Sequence, residues 1–249
     1  MKLTIADPKL LKDSINIISD IVTEARFNIT KQGLELIAMD PANVAMVIFK
    51  LLSSSFTEYD LKQDMSIGLN LNNLKQVFKR VKATDILTLE VDGSQFKITL
   101  KGATTRRFYL PIIDIEELDQ KVPDLDFAVE IQTDSQLIED AIADADIVAE
   151  SVSFKTDGKS LIIEASGDLA KSSVEIKADE NTKINILKKT AEEIKAKYSI
   201  EYLKKMIKSS KLSDRVVLKF SKDYPLRLDY IVKDRLELGF ILAPRIETE

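Results

Sequence analysis

Histidine, cysteine and tryptophan are absent from this 249-residue chain, and only seven glycines and six prolines punctuate it. Without histidine, the commonest general base and the commonest zinc ligand are both missing. A serine nucleophile would have no imidazole to take its proton. Without cysteine there is neither a disulfide framework nor thiolate chemistry. The seven glycines are scattered, so neither a phosphate-cradling P-loop nor a dinucleotide fingerprint can be built. No segment approaches the roughly 18 consecutive apolar residues that a membrane span needs. The opening MKLTIADPKLLKD meets acidic and polar residues too early for a secretory leader. These absences lead us to expect a soluble, intracellular protein with no membrane association, of the cytoplasm or nucleoid (the nucleus in a eukaryotic source). They also lead us to expect no cofactor, no resident metal and no catalytic residues.

Carboxylates are plentiful: 41 Asp and Glu stand against 36 Lys and Arg, for a formal net charge of -5. Clusters such as ADADI (143–147) and DLDF (124–127) offer the oxygen ligands that Mg²⁺ prefers. A carboxylate-based, metal-dependent hydrolase is therefore an alternative reading, although acidic pairs arise readily by chance in such a chain.

The sequence repeats itself at long period. At an offset of 127 residues, Leu34 falls on Leu161, Leu36 on Ile163, Ala38 on Ala165, Phe27 on Phe154 and Asp13 on Asp140. At an offset of 129, LKQVFKRVKATD (74–85) falls on LKKMIKSSKLSD (203–214), with lysines on lysines and Asp85 on Asp214. Each half reads as an amphipathic helix, alternating strands, a second helix and a hairpin. The first hairpin is ILTLEV, a turn at Asp92-Gly93-Ser94, then FKITL. The fold class expected is α+β, one domain duplicated: 1–113, an acidic linker 114–126 between Pro111 and Pro123, and 127–249.

Positive charge is concentrated despite the acidic total. On a helix turning about 100° per residue, Lys204, Lys208 and Lys211 fall within an arc of about 60°, and Lys205 widens it to about 120°. Leu203, Met206 and Ile207 take the opposite side. The segment 74–82 repeats the layout, with Lys75, Lys79, Arg80 and Lys82 opposite Leu74, Val77, Phe78 and Val81. The first helix, within residues 7–22, adds Lys9 and Lys12 beside Leu11, Ile15 and Ile18. The helix within 134–150 instead points Glu139, Asp140, Asp144 and Asp146 outward. Lysine meets phosphate as a point charge without reading bases, so these faces suggest nonspecific, salt-dependent contact with a nucleic acid.

LELIAMDPANVAMV (34–47), IGLNLNNLKQVFKRV (67–81), LPIIDIEEL (110–118) and LGFILAPRIE (238–247) resemble the DNA sliding clamps of the proliferating cell nuclear antigen type, archaeal or eukaryotic. The resemblance covers essentially the whole chain. It implies a duplicated clamp domain assembling as a head-to-tail ring of three subunits. Helices would line the hole and antiparallel sheets would form the outer wall. The lysines and Arg80 would face DNA, although the acidic helix lacks the basic residues such clamps often carry there. TTRRFY (104–109) and KSSVEI (171–176) match the strands that pair between subunits, which implies interface roles for Arg107, Phe108, Val174 and Ile176. The resemblance also implies a pocket for aromatic-anchored client peptides, formed by Met39, Val44, Leu118, Val122, Pro225, Phe240, Ile241, Ala243 and Pro244. DNA polymerase, clamp loader, flap endonuclease and DNA ligase would be the clients. A subunit of a heterotrimeric clamp fits the same residues. So does a nonspecific DNA-binding module that does not close a ring.

Overall fold

The computed structural model describes residues 1–116, 120–188 and 193–246. The chain divides into two units. The first comprises Met1–Pro41, Val47–Val122 and Val232–Leu238; the second takes Ala42–Met46, Pro123–Ile231 and the chain from Gly239 onward.

The elements of the first half are β1 (Lys2–Ile5), α1 (Lys9–Ile18), β2 (Glu24–Ile29), β3 (Gly33–Met39), β4 (Ala45–Leu52), β5 (Glu58–Asp60), β6 (Met65–Asn70), α2 (Leu71–Phe78), β7 (Ile86–Asp92), β8 (Gln95–Lys101) and β9 (Thr105–Pro111). The second half repeats that order: β10 (Val129–Asp134), α3 (Ser135–Asp146), β11 (Ser151–Thr156), β12 (Ser160–Ser166), β13 (Lys171–Lys177), β14 (Lys183–Ile186), β15 (Ile194–Ser199), α4 (Ile200–Met206), β16 (Arg215–Phe220), β17 (Leu226–Val232) and β18 (Leu236–Leu242). Strand orders β5-β1-β7-β8-β9 and β6-β2-β3-β4 in the first half become β14-β10-β16-β17-β18 and β15-β11-β12-β13 in the second. The fold is α+β and duplicated, term by term.

Local chemistry accounts for the element ends. Asn70 caps α2 by accepting the Asn73 N–H at 3.0 Å, and Asp134 caps α3 through the Gln136 N–H at 2.8 Å. Each such cap contributes about 1 kcal/mol. The β7–β8 hairpin closes more tightly than the sequence suggests. Asp92 pairs with Gln95, leaving Gly93-Ser94 as a two-residue turn with Gly93 at φ 60.

The helices are shorter than their charge patterns. The segment 74–82 is helical only to Phe78. Beyond it, Arg80 and Val81 donate to Val77 and Phe78, three residues back, which tightens and ends the helix. The 203–214 segment splits into α4, ending at Met206, and a 3₁₀ stretch, Ile207–Lys211. Lys79, Arg80, Lys82, Lys208 and Lys211 therefore lie beyond the α-helices proper.

In the first unit, Leu11 and Ile15 of α1 and Leu74 and Phe78 of α2 close over Phe27 and Phe96. In the second, Phe154 meets Tyr198 and Phe220 edge-to-face, at centroid distances of 5.6 and 6.2 Å. Glycine is required at position 68, where the start of the linker crosses β6. The Ile113 N–H donates to the Gly68 carbonyl at 2.9 Å, and a Cβ at Gly68 would stand 2.3 Å from the Ile113 oxygen. Gly68→Ala should lift residues 112–115 from the sheet and lower stability by about 1–3 kcal/mol. Denaturant melts and faster amide exchange at Ile113 would register it; an unchanged Ile113 amide would refute it.

Candidate nucleic-acid and partner interfaces

The cations expected on one surface differ in how far they are already engaged. In the first unit, Lys75 is half-buried and paired with Asp20 at 2.6 Å, and Lys12 donates to the Val81 carbonyl at 3.0 Å. Lys9, Lys79, Arg80 and Lys82 are exposed, and among the described residues none of them forms an ion pair. Lys9, Lys12 and Lys82 border a hollow of about 280 Å³ together with Asp7 and Asp13.

In the second unit, α3 packs beside α4 and the 3₁₀ stretch, and its Asp146 meets a lysine of α4. Lys204 pairs with Asp146 at 2.6 Å. Lys205 pairs with Glu201 at 2.9 Å and lies 5.1 Å from the centre of the Tyr202 ring. Lys204, Lys205, Lys208, Glu150, Glu201 and Arg245 border a hollow of about 740 Å³. Lys211 is exposed. Asp146 of α3 and Glu201 of α4 therefore moderate the positive surface of this half, and an exposed pair of this kind is worth little in water.

Arg107 is exposed and Phe108 half-buried on β9, which pairs only with β8 among the described residues. Val174 is half-buried and Ile176 buried on β13, which likewise pairs only with β12. Each strand leaves a row of backbone donors and acceptors without a ladder partner.

The expected peptide-pocket residues lie in both units. In the first, Met39 ends β3, and its N–H donates to the Gln120 side chain at 3.2 Å. Val122 is half-buried. Arg26 donates to the Ile115 carbonyl, and a hollow of about 200 Å³ opens among β2, β3 and the linker. In the second unit, Val44 accepts the Ala243 N–H at 2.9 Å, Phe240 and Ile241 are buried in β18, and Pro225 and Pro244 are half-buried. Leu118 lies outside the described residues.

The carboxylates suggested as metal ligands are engaged elsewhere or dispersed. Asp146 pairs with Lys204 and Asp126 with Lys188. Among the described residues, no group of three or more acidic side chains is arranged to hold a metal ion. No helix among them is long and apolar enough to cross a membrane.

Two family models match the chain: proliferating cell nuclear antigen, N-terminal domain, over residues 1–121, and its C-terminal domain over residues 121–245. The chain belongs to the proliferating cell nuclear antigen family. It is 36% identical over 249 residues to the DNA polymerase sliding clamp of Nanoarchaeum equitans, covering 98% of this chain and 99% of that one. To the DNA polymerase sliding clamp of Pyrococcus furiosus it is 33% identical, covering 94% and 93%. The crystal structure of PCNA from Thermococcus kodakaraensis shares the fold at TM-score 0.90 and 24% identity, covering 98% of this chain and 99% of that one.

One group of residues escaped the reading of the sequence. Asp85 stood out only as the repeat partner of Asp214, and Arg106 not at all. Asp85 is buried; it accepts the Lys82 N–H at 2.7 Å and a hydrogen bond from the Arg106 guanidinium. No spacing rule links position 85 to position 106, because the β7–β8 hairpin between them brings the two together.

The Lys82 amide, aided by Arg106, holds the Asp85 carboxyl below the usual carboxylate range. A depressed folded-state pKa stabilises the protein above the unfolded value of about 4 and ceases to as pH falls through the folded value. Asp85→Asn should therefore flatten the acid limb of stability below about pH 4. Urea melts across that range would check it, and an acid limb as steep as the parent's would refute it.

Proposed function

We propose that this chain is a DNA sliding clamp: a non-catalytic processivity factor that encircles duplex DNA and tethers DNA polymerase. The observation that carries this reading is that two of the sheets end in β9 of the first unit and β13 of the second, each with one edge unpaired among the described residues. Head-to-tail pairing of β9 on one copy with β13 on the next satisfies both rows, and three copies close a ring with two fold repeats each. Arg107, Phe108, Val174 and Ile176 then lie in the contact between subunits.

In the ring the helices line the hole, and they and the segments that follow α2 and α4 present Lys9, Lys12, Lys75, Lys79, Arg80, Lys82, Lys204, Lys205, Lys208 and Lys211 to the duplex. Lysine-rich contact without base readout is weak and falls steeply with salt. Retention then comes from topology, and a shallow interaction permits sliding. The clamp domains are 1–113 and 127–249, joined by the linker 114–126. Clients such as DNA polymerase, clamp loader, flap endonuclease and DNA ligase place a short aromatic-anchored peptide against Met39, Val44, Leu118, Val122, Pro225, Phe240, Ile241, Ala243 and Pro244. A preformed apolar groove gives such a peptide modest affinity that many partners can share. The protein works inside the cell, where its DNA lies.

Light scattering should give a mass of three times the 28.0 kDa chain. The loaded protein should stay on closed circular DNA and run off the same DNA once it is linearised. A trimer held equally by both topologies would refute the clamp. A monomer that becomes a ring only with sister chains would point to a heterotrimeric clamp. Leu118→Ala should weaken a client peptide about tenfold or more while the ring mass is unchanged. Unchanged affinity by calorimetry would remove Leu118 from the pocket.

A further inference from the structure

The connection from α2 to β7, residues 79–85, carries three cations in four positions: Lys79, Arg80 and Lys82. Like charges so close repel weakly where water reaches them, and only the start of the connection is tied to the end of α2. Here it is fastened at several points. The Asp85 carboxylate, 2% exposed, accepts the Lys82 N–H at 2.7 Å, and the Asp85 N–H returns to the Lys82 carbonyl at 3.0 Å. Arg106 bridges from β9: one arm of its guanidinium reaches Asp85, and the other donates to the Arg80 carbonyl at 2.8 Å. Lys12 of α1 covers the next carbonyl, that of Val81, at 3.0 Å. The β8–β9 turn closes the other side, since a Cβ on Gly102 would stand 2.5 Å from Asp85 Oδ1.

This arrangement is particular to the first unit. Asp214, the repeat counterpart of Asp85, is exposed, and the segment before it winds into the 3₁₀ stretch instead. A buried ion pair contributes little net stability against an apolar replacement of similar shape, because desolvation offsets its Coulomb gain. What it supplies is geometry. Repulsion among the three cations acts to open the connection, and the clasp opposes it at both the carbonyl and the amide side.

We infer that Asp85 is a positioning residue for phosphate contact: through Arg106 and the Lys82 amide it holds the backbone at Arg80 and Lys82 to β9, next to Lys79 at the helix end, so that the three cations leave one fixed stretch of chain. The inference rests on the clamp reading in one respect, that this connection faces duplex DNA. A fastened backbone lets these cations meet phosphates without the chain first losing conformational freedom, and a freed segment loses that advantage.

The test measures anisotropy of a short fluorescent duplex across a salt series with the full-length chain. Its variants are Asp85→Ala, Asp85→Asn and the triple variant Lys79→Ala, Arg80→Ala, Lys82→Ala, with the Asp85 changes repeated in the triple background. Asp85→Ala should weaken low-salt binding about tenfold and flatten the salt dependence by about two contacts' worth. Asp85→Asn, which keeps an acceptor for the Lys82 N–H, should fall between it and the parent. In the triple background neither change should add a further loss. An Asp85 effect of equal size in both backgrounds would overturn the inference, as would an unchanged salt slope in both Asp85 variants. A triple variant that itself binds like the parent would overturn it too, by removing this connection from the DNA surface. If Asp85→Ala does not fold, the Asp85→Asn comparison in the two backgrounds decides the same question.

Discussion

Each helix in this chain commits its apolar stripe to neighbouring helices and strands, and that commitment decides where charge can go. Leu11, Ile15 and Ile18 of α1 are buried, as are Leu74, Val77 and Phe78 of α2, Ile138 and Ile142 of α3, and Leu203 and Met206 of α4. Each fully buried side chain of this size is worth about 1.5–3 kcal/mol. No surface ion pair competes with that, so a helix cannot rotate to place its lysines elsewhere. The polar faces follow as a consequence: basic on α1, α2 and α4, acidic on α3. Function is written on the surface that the core leaves over.

The duplication has a second consequence. Two copies of one fold supply two sets of end strands, and among the described residues β9 and β13 each leave one edge unpaired. An unpaired edge invites another strand, and proteins normally blunt such edges with charge or cover them. Lys171, Lys177 and Arg107 add charge along these two, which disfavours indiscriminate pairing. In the clamp reading the same edges close the ring, so the feature that would be an aggregation hazard in a monomer becomes the means of assembly.

Charge on the basic surface is moderated where the chain supplies its own carboxylates. Lys75 faces Asp20, Lys204 faces Asp146 and Lys205 faces Glu201. Among the described residues, the cations left without such partners include Lys79, Arg80 and Lys82, on a connection and not on a helix. A surface with part of its charge already matched grips a polyanion less tightly than its lysine count suggests, which suits movement along DNA better than tight binding would. The connection at 79–85 is tied to the end of α2 only as far as Val81, so beyond that its geometry depends on Asp85 and Arg106.

Much of this was legible in the chain. Period-two alternation at 86–91 predicted β7, with Leu87 and Leu89 buried, and the repeat placed Leu34 with Leu161 on the matching strands β3 and β12. Side-chain burial follows from local periodicity, and periodicity survives in one dimension. The helix ends did not follow from the pattern, since the lysines continue their spacing past Phe78 and past Met206 while the backbone tightens and turns away. Nor could any spacing show that Asp85 meets Arg106, that Lys12 is engaged at Val81, or that Lys204 faces Asp146. Those contacts join segments that are distant along the chain and adjacent only after strands and helices pack. The sequence alone determined which faces are apolar, how the domain is duplicated and where positive charge is concentrated, because each of these is a property of local order. Only the tertiary structure decided which charges remain open to a partner and which strand edges stay unpaired, because both depend on what the rest of the fold brings alongside.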